Sequence, residues 1–294
     1  MGRKIRRWLL SLGLLGCLTA HCLPAPAGSP VWVIHGSHNS VYLAGSVHLL
    51  KAGEATLPAA FDRAYAGSKG LVMELDVGNV NPMEAMGWMM EHGMLPAGVT
   101  LRERIGESRY QRVATEAQRL GLPIELLQQL QPWVIGLQLL ESQYQRLGFE
   151  ADDGVEQQLD HRAQADGKSV RGLETVGEQL GVLGAMSDDD QTRFLDMIVS
   201  EMGDVGSDTQ QVITAWRAGD AARLAALLSE EYKSFPALYR TLVSERNKHW
   251  MPQLEKLLQD GQDYFVVVGA LHLVGDGGLL DLMKRAGYRP EQLN

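Results

Sequence analysis

A chain of 294 residues has room for one large domain or two small ones, and 45% apolar with 21% charged residues is an ordinary globular balance. The net charge of −9 argues against nucleic acid as a partner. The basic cluster Arg3, Lys4, Arg6 and Arg7 lies at the very start, and without those four charges the remainder stands at −13. Both cysteines, Cys17 and Cys22, fall in the same leading stretch, which excludes disulfides, zinc–thiolate sites and cysteine nucleophiles from the body.

Met1 to Arg7 is a basic region, and Trp8 to Leu18 is an apolar run too short to span a bilayer. Together they predict a secretory signal over residues 1–27 and an exported body, in the periplasm or tied to the envelope by a lipid. Two processing routes are written in the leader. Ala25-Pro26-Ala27 offers a cleavage site before Gly28, and Leu14-Leu15-Gly16-Cys17 has the form of a lipobox that would leave a lipidated Cys17 as the membrane anchor.

Val31–Ile34 and Val41–Val47 predict two strands joined as a hairpin through His35-Gly36-Ser37-His38-Asn39-Ser40. His35 and His38 read as solvated turn residues. A helix over Leu57–Ala66 follows, with Pro58 in its first turn, and then a buried strand, Leu71-Val72-Met73-Glu74-Leu75. Residues 81–259 read as a mainly helical insertion. It opens on Asn81-Pro82 and a methionine-rich segment (Met83, Met86, Met89, Met90, Met94), expected to be pliable core or a groove wall. Ser169-Val170-Arg171 is a short strand within it, and a helix is expected from Pro236 to Lys248. The last section is a strand, Tyr264 to Val268, and a helix from Gly277 to Ala286 closed by Gly287. The fold class is α/β (α+β). A central mixed sheet is assembled from both ends of one domain, residues 28–294, around the insertion.

The two ends share one plan. Val41-Tyr42-Leu43-Ala44-Gly45-Ser46-Val47-His48 and Tyr264-Phe265-Val266-Val267-Val268-Gly269-Ala270-Leu271-His272 are each a buried strand running into Gly-x-x-His. Alternation along a strand puts Ser46 and His48 on one face and Gly45 and Val47 on the other. Ligands of open α/β sheets sit beyond the carboxyl ends of strands, so His48, His272 and the strand-end Glu74 are predicted to converge on one crevice. Two imidazoles and one carboxylate could hold a metal with coordination positions left for water and substrate. There is no His-Glu-x-x-His, no Gly-x-Ser-x-Gly and no Walker lysine loop, and nothing beside Ser46 marks it as an activated nucleophile.

On these residues the chain resembles the TraB/PrgY/GumN family, whose hallmark is two Gly-x-x-His motifs near opposite ends. Val72-Met73-Glu74-Leu75, Gly172-Leu173-Glu174-Thr175 with Glu178-Gln179, and Glu245-Arg246-Asn247 with Trp250 match in the same order. The family is related to the Tiki proteins, membrane-anchored metalloproteases that depend on manganese- or cobalt-type ions. The resemblance therefore implies a divalent ion on His48, His272 and Glu74, with Arg246 as an auxiliary catalytic group and a peptide or protein as substrate. Gly154-Val155-Glu156 departs from the family's Gly-hydrophobic-Asp by one methylene. Glu174 reads either as a base or as a charge at a helix N-terminus. The leading expectation is an exported, peptidase-like, metal-dependent hydrolase. The alternative is a non-catalytic binder of peptide, metal or porphyrin in the bacterial envelope.

Overall fold

The computed structural model describes residues 28–233 and 235–294. The predicted signal, its cleavage site and the lipobox at Cys17 lie outside the described residues. The strands are β1 (Val31–His35), β2 (Ser40–Ser46), β3 (Gly70–Met73), β4 (Ser169–Gly172), β5 (Tyr264–Gly269) and β6 (Glu291–Gln292). Between β2 and β4 run α1 (Ala59–Gly67), α2 (Pro82–His92), α3 (Leu101–Ile105), α4 (Glu107–Leu120), α5 (Pro132–Arg146) and α6 (Val155–Asp166). Between β4 and β5 run α7 (Val176–Gly184), α8 (Asp188–Glu201), α9 (Val205–Arg217), α10 (Ala221–Glu231), α11 (Pro236–Tyr239) and α12 (Glu245–Leu257); α13 (Ala270–Leu273) and α14 (Leu279–Arg285) follow β5.

The six strands form one mixed sheet in the order β4-β3-β5-β2-β1-β6. β4, β3, β5 and β2 are mutually parallel, while β1 pairs antiparallel with both β2 and β6. The predicted hairpin is present as β1–β2. β5, contributed by the far end of the chain, inserts between β2 and β3. All six of its residues are buried, as a strand covered on both faces requires. The carboxyl ends of β2, β3, β4 and β5 therefore open on one side of the sheet.

Two apolar clusters divide the molecule. One wraps the sheet and takes in Phe61, Trp216, Trp250 and Phe265. The other lies within the insertion, around Trp133, Ile135, Leu139 and Phe194. Helix starts follow their capping chemistry. The Asn81 side chain accepts from the backbone N–H groups of Met83 and Glu84, and Thr100 and Thr175 form reciprocal boxes with Glu103 and Glu178.

Two expectations change. The methionine-rich helix α2 buries no residue, and Met83, Met86 and Met90 are exposed, not core. At i, i+3 and i+7 they share one face, whereas Trp88 and Met89 are the residues that pack on the insertion's cluster. The helix predicted to end at Lys248 runs on to Leu257 through Pro252. A mid-helix proline sacrifices one hydrogen bond, but Trp250, Leu254 and Leu257 are buried across that segment and hold the helix to the sheet. A π-helical stretch, Arg240–Ser244, stands directly before Glu245 and Arg246; such irregularities recur at functional sites because they re-aim the next side chains.

Candidate functional site

Each parallel strand end delivers one group. β2 ends at Ser46 and leads to His48, β3 leads to Glu74, β4 leads to Glu174, and β5 ends at Gly269 and leads through α13 to His272. Because β5 lies between β2 and β3, Gly269 stands between His48 and Glu74. Its missing side chain makes their approach possible. A Cβ there would lie 3.2 Å from Glu74 Oε1, 3.3 Å from His48 Nε2 and 3.6 Å from the His272 ring. The Gly269 N–H also donates to Glu74 Oε1 at 2.7 Å.

The cation at the centre is Arg246, from the start of α12. Its Nη2 reaches Glu74 Oε2 at 2.5 Å and also bonds Glu174 Oε1, and its Nε donates to Glu174 Oε2 at 3.2 Å. Nη1 lies 3.1 Å from His272 Nε2. The guanidinium further packs 4.8 Å over the Trp250 ring, whose other neighbour is the His272 imidazole. Glu74, Glu174 and His272 are all buried. A planar fork of donors suits two carboxylates and an imidazole where a point-charge ammonium would not. This side chain therefore turns inward to His272 and away from bulk solvent.

The two motif histidines live in opposite electrostatic surroundings. Asn247 is fully buried; its Nδ2 donates to the carbonyls of His272 and Gly277 at 3.0 and 2.9 Å, which leaves its Oδ1 to accept from His272 Nδ1 at 2.7 Å. His272 Nε2 is then the ring's lone-pair nitrogen, facing Arg246. Burial, with Arg246 and His48 against the opposing pull of Glu74, lowers its pKa to about 4. The His48 side chain is 63% exposed, and its Nδ1 donates to Glu156 Oε1 at 2.8 Å. The Glu156 carboxylate raises its pKa above the usual imidazole range, against the smaller opposing effect of desolvation.

The carboxylates divide as well. Burial penalises the Glu74 anion, but His272, His48, Arg246 and the Gly269 N–H outweigh it and hold its pKa at about 2. For Glu174 burial prevails and the pKa is raised despite Arg246. A cavity of about 380 Å³ opens beside Glu174, lined also by Asp76, Glu84 and Glu178 and by Leu75, Val80 and Leu173.

The structure thus brings Glu74, Arg246, Glu174, His48 and His272 to one place, and it adds three residues that the sequence reading did not place there. Glu156, from the start of α6, accepts from both His48 Nδ1 and Ser46 Oγ. Asn247 fixes His272. Ser46 anchors Glu156. The signals were Gly154-Val155-Glu156, Glu245-Arg246-Asn247, and the shared strand face of Ser46 and His48. As they stand, His48, His272 and Glu74 do not make a three-ligand set: among the described residues no group of three histidine, cysteine or acidic side chains is arranged to hold a metal ion.

The fold and this crevice define an α/β scaffold with paired Gly-x-x-His strand ends around a buried arginine–carboxylate core. The chain belongs to the TraB/PrgY/gumN family, whose model matches residues 30–292. Among curated proteins it is similar to the uncharacterized protein YbaP of Escherichia coli (strain K12), 28% identical over 243 residues, which is 83% of this chain and 87% of that protein. The YbaP of Shigella flexneri matches with the same figures. No solved structure matches the chain.

Proposed function

We propose that this chain is a hydrolase of peptide-type acyl bonds, acting in the crevice over Gly269. The observation that carries the reading is the division of labour between the histidines. His48 has one ring nitrogen tied to a carboxylate and the other open above Gly269, while His272 is sealed against Arg246 and Asn247. Because Glu156 lifts the His48 pKa to about 9, the ring is a base only on the alkaline side of that value. There it can take a proton from a water attacking a carbonyl carbon and return it to the leaving amine, so cleavage is expected to rise with pH toward about 9. Arg246 is the cation of the crevice; Glu74 and Glu174 balance its charge and fix its fork in place, so an oxyanion on that carbon would be met by its N–H donors and not by a net positive field. Family membership supports the reading by way of the related metalloproteases.

The divalent ion of manganese or cobalt type that the resemblance implies does not fit the side chains as arranged. Arg246 holds His272 Nε2 and Glu74 Oε2, two of the donor atoms an ion would need. Metal content, measured on the sample that is assayed for cleavage of fluorescein-labelled casein, tests both points. Cleavage that survives a chelator supports water activation by His48 alone. Cleavage that requires added manganese or cobalt overturns that step and puts the ion among His48, Glu74 and His272, with Arg246 displaced. Arg246→Lys is expected to slow turnover roughly tenfold or more, because an ammonium cannot span both carboxylates and the imidazole.

On the leader pattern we also propose that the protein is exported and matures at Gly28 or at a lipidated Cys17. Intact Met1 in mass spectra of native material would refute this. No helix among the described residues is long and apolar enough to cross a membrane.

A further inference from the structure

α6 is joined to the first Gly-x-x-His loop more closely than helix packing requires. The Val155 N–H donates to the Val47 carbonyl at 3.1 Å. Gly154 lies so near the His48 carbonyl oxygen that a Cβ would meet it at 2.1 Å, a contact no side-chain-bearing residue tolerates. These two residues place Glu156 beneath the imidazole. One oxygen of Glu156, Oε1, accepts from both His48 Nδ1 and Ser46 Oγ. The other, Oε2, is buried with no hydrogen-bond partner among the described residues.

Two donors on one oxygen, the ring N–H and the hydroxyl of the preceding strand, fix where that oxygen sits relative to the imidazole. Ser46 comes from the strand that carries His48, and Glu156 comes from the insertion. The pair therefore ties ring orientation to the docking of α6. With Nδ1 donating to Oε1, the opposite nitrogen faces the space over Gly269, 3.3 Å from where a Cβ on that residue would stand.

We propose that Glu156, braced by Ser46, is a positioning residue that holds His48 in the tautomer with hydrogen on Nδ1 and with Nε2 presented to the crevice. The proposal rests on the reading of His48 as the group that meets the attacking water, and it names what makes that imidazole competent. A neutral imidazole free in water has no carboxylate to select this tautomer; the selecting partner sets which nitrogen is the acceptor.

The test is nitrogen-15 NMR of the imidazoles in the full mature chain, with His48 assigned through His48→Gln and the tautomer read at a pH where the ring is neutral. Wild type is expected to show hydrogen on Nδ1 of His48. Glu156→Gln, which can turn its amide to donate, is expected to shift the ring to a mixture or to the Nε2–H form, and Glu156→Asp to keep part of the wild-type pattern. The His272 signals serve as the internal control and stay unchanged, since Asn247 rather than Glu156 fixes that ring. Should Glu156→Gln fail to fold, Ser46→Ala leaves the carboxylate in place and is expected to weaken the Nδ1–H hydrogen bond without unfolding.

If labelled casein is cleaved, Glu156→Gln lowers kcat roughly tenfold to a hundredfold with KM nearly constant, and Glu156→Asp recovers part of it. An unchanged His48 tautomer in Glu156→Gln, or an Nε2–H form in wild type, overturns the proposal. Absence of casein cleavage in wild type counts against the hydrolase reading alone, because the tautomer is measured without turnover.

Discussion

His48 and His272 close the same four-residue motif on neighbouring parallel strands, yet one is exposed beside a carboxylate and the other is buried between an amide and a guanidinium. The motif supplies an imidazole at a strand end. Its charge, tautomer and access to water come from the helices that pack over it. α6 brings Glu156 to one ring and α12 brings Arg246 and Asn247 to the other, and both helices lie in the insertion.

The strongest way to break this asymmetry is to remove its central cation. Arg246→Ala leaves Glu74 and Glu174 buried without their counter-charge, and losing one partner of such a network costs about 3–5 kcal/mol. Thermal or denaturant unfolding should show that loss, and an unchanged midpoint would mean that solvent reaches these carboxylates. Arg246→Lys also lowers stability, by less, because the charge stays while the fork is lost.

Next comes Asn247→Ala. It strips partners from His272 Nδ1 and from the buried His272 carbonyl and is expected to cost about 1–3 kcal/mol. Asn247→Asp sharpens the comparison. It gives His272 a carboxylate like that of His48, so NMR titration should find the His272 pKa moved upward.

In the wild type the two titrations should already separate. His272 stays neutral until the pH falls to about 4, while His48 keeps its proton above the usual imidazole range. Glu74 adds an acid limb. Its folded pKa of about 2 lies below the ordinary carboxyl value of 4.5, so its contribution is complete above the unfolded value and is lost as pH falls from about 4.5 toward 2. Glu74→Gln is expected to flatten that limb in acid unfolding curves. The smallest effect belongs to the outer face of α2. Met86→Ser touches neither histidine and should change stability by less than about 0.5 kcal/mol.

A mixed sheet drawn from both ends of the chain, and the chemistry at its strand ends, were legible in the residues; β6 and the place of β5 between β2 and β3 were not. Short β-branched runs bounded by glycine favour buried strands over helix, and period-two alternation placed Ser46 and His48 on one face, where both meet Glu156. The Gly-x-x-His pair and Glu74 were legible because strand ends in open sheets gather at one edge. Tertiary structure alone decided which groups surround each ring. Glu156 is 108 residues from His48, Arg246 is 172 from Glu74, and Asn247 is 25 from His272. No local pattern encodes such distances, because they follow from how two helices of an insertion dock. The expectation of pliable core for the α2 methionines failed for the same reason, since Met83, Met86 and Met90 are exposed. An apolar face at helical spacing records what a helix could bury, and only the packing of its neighbours settles whether it does.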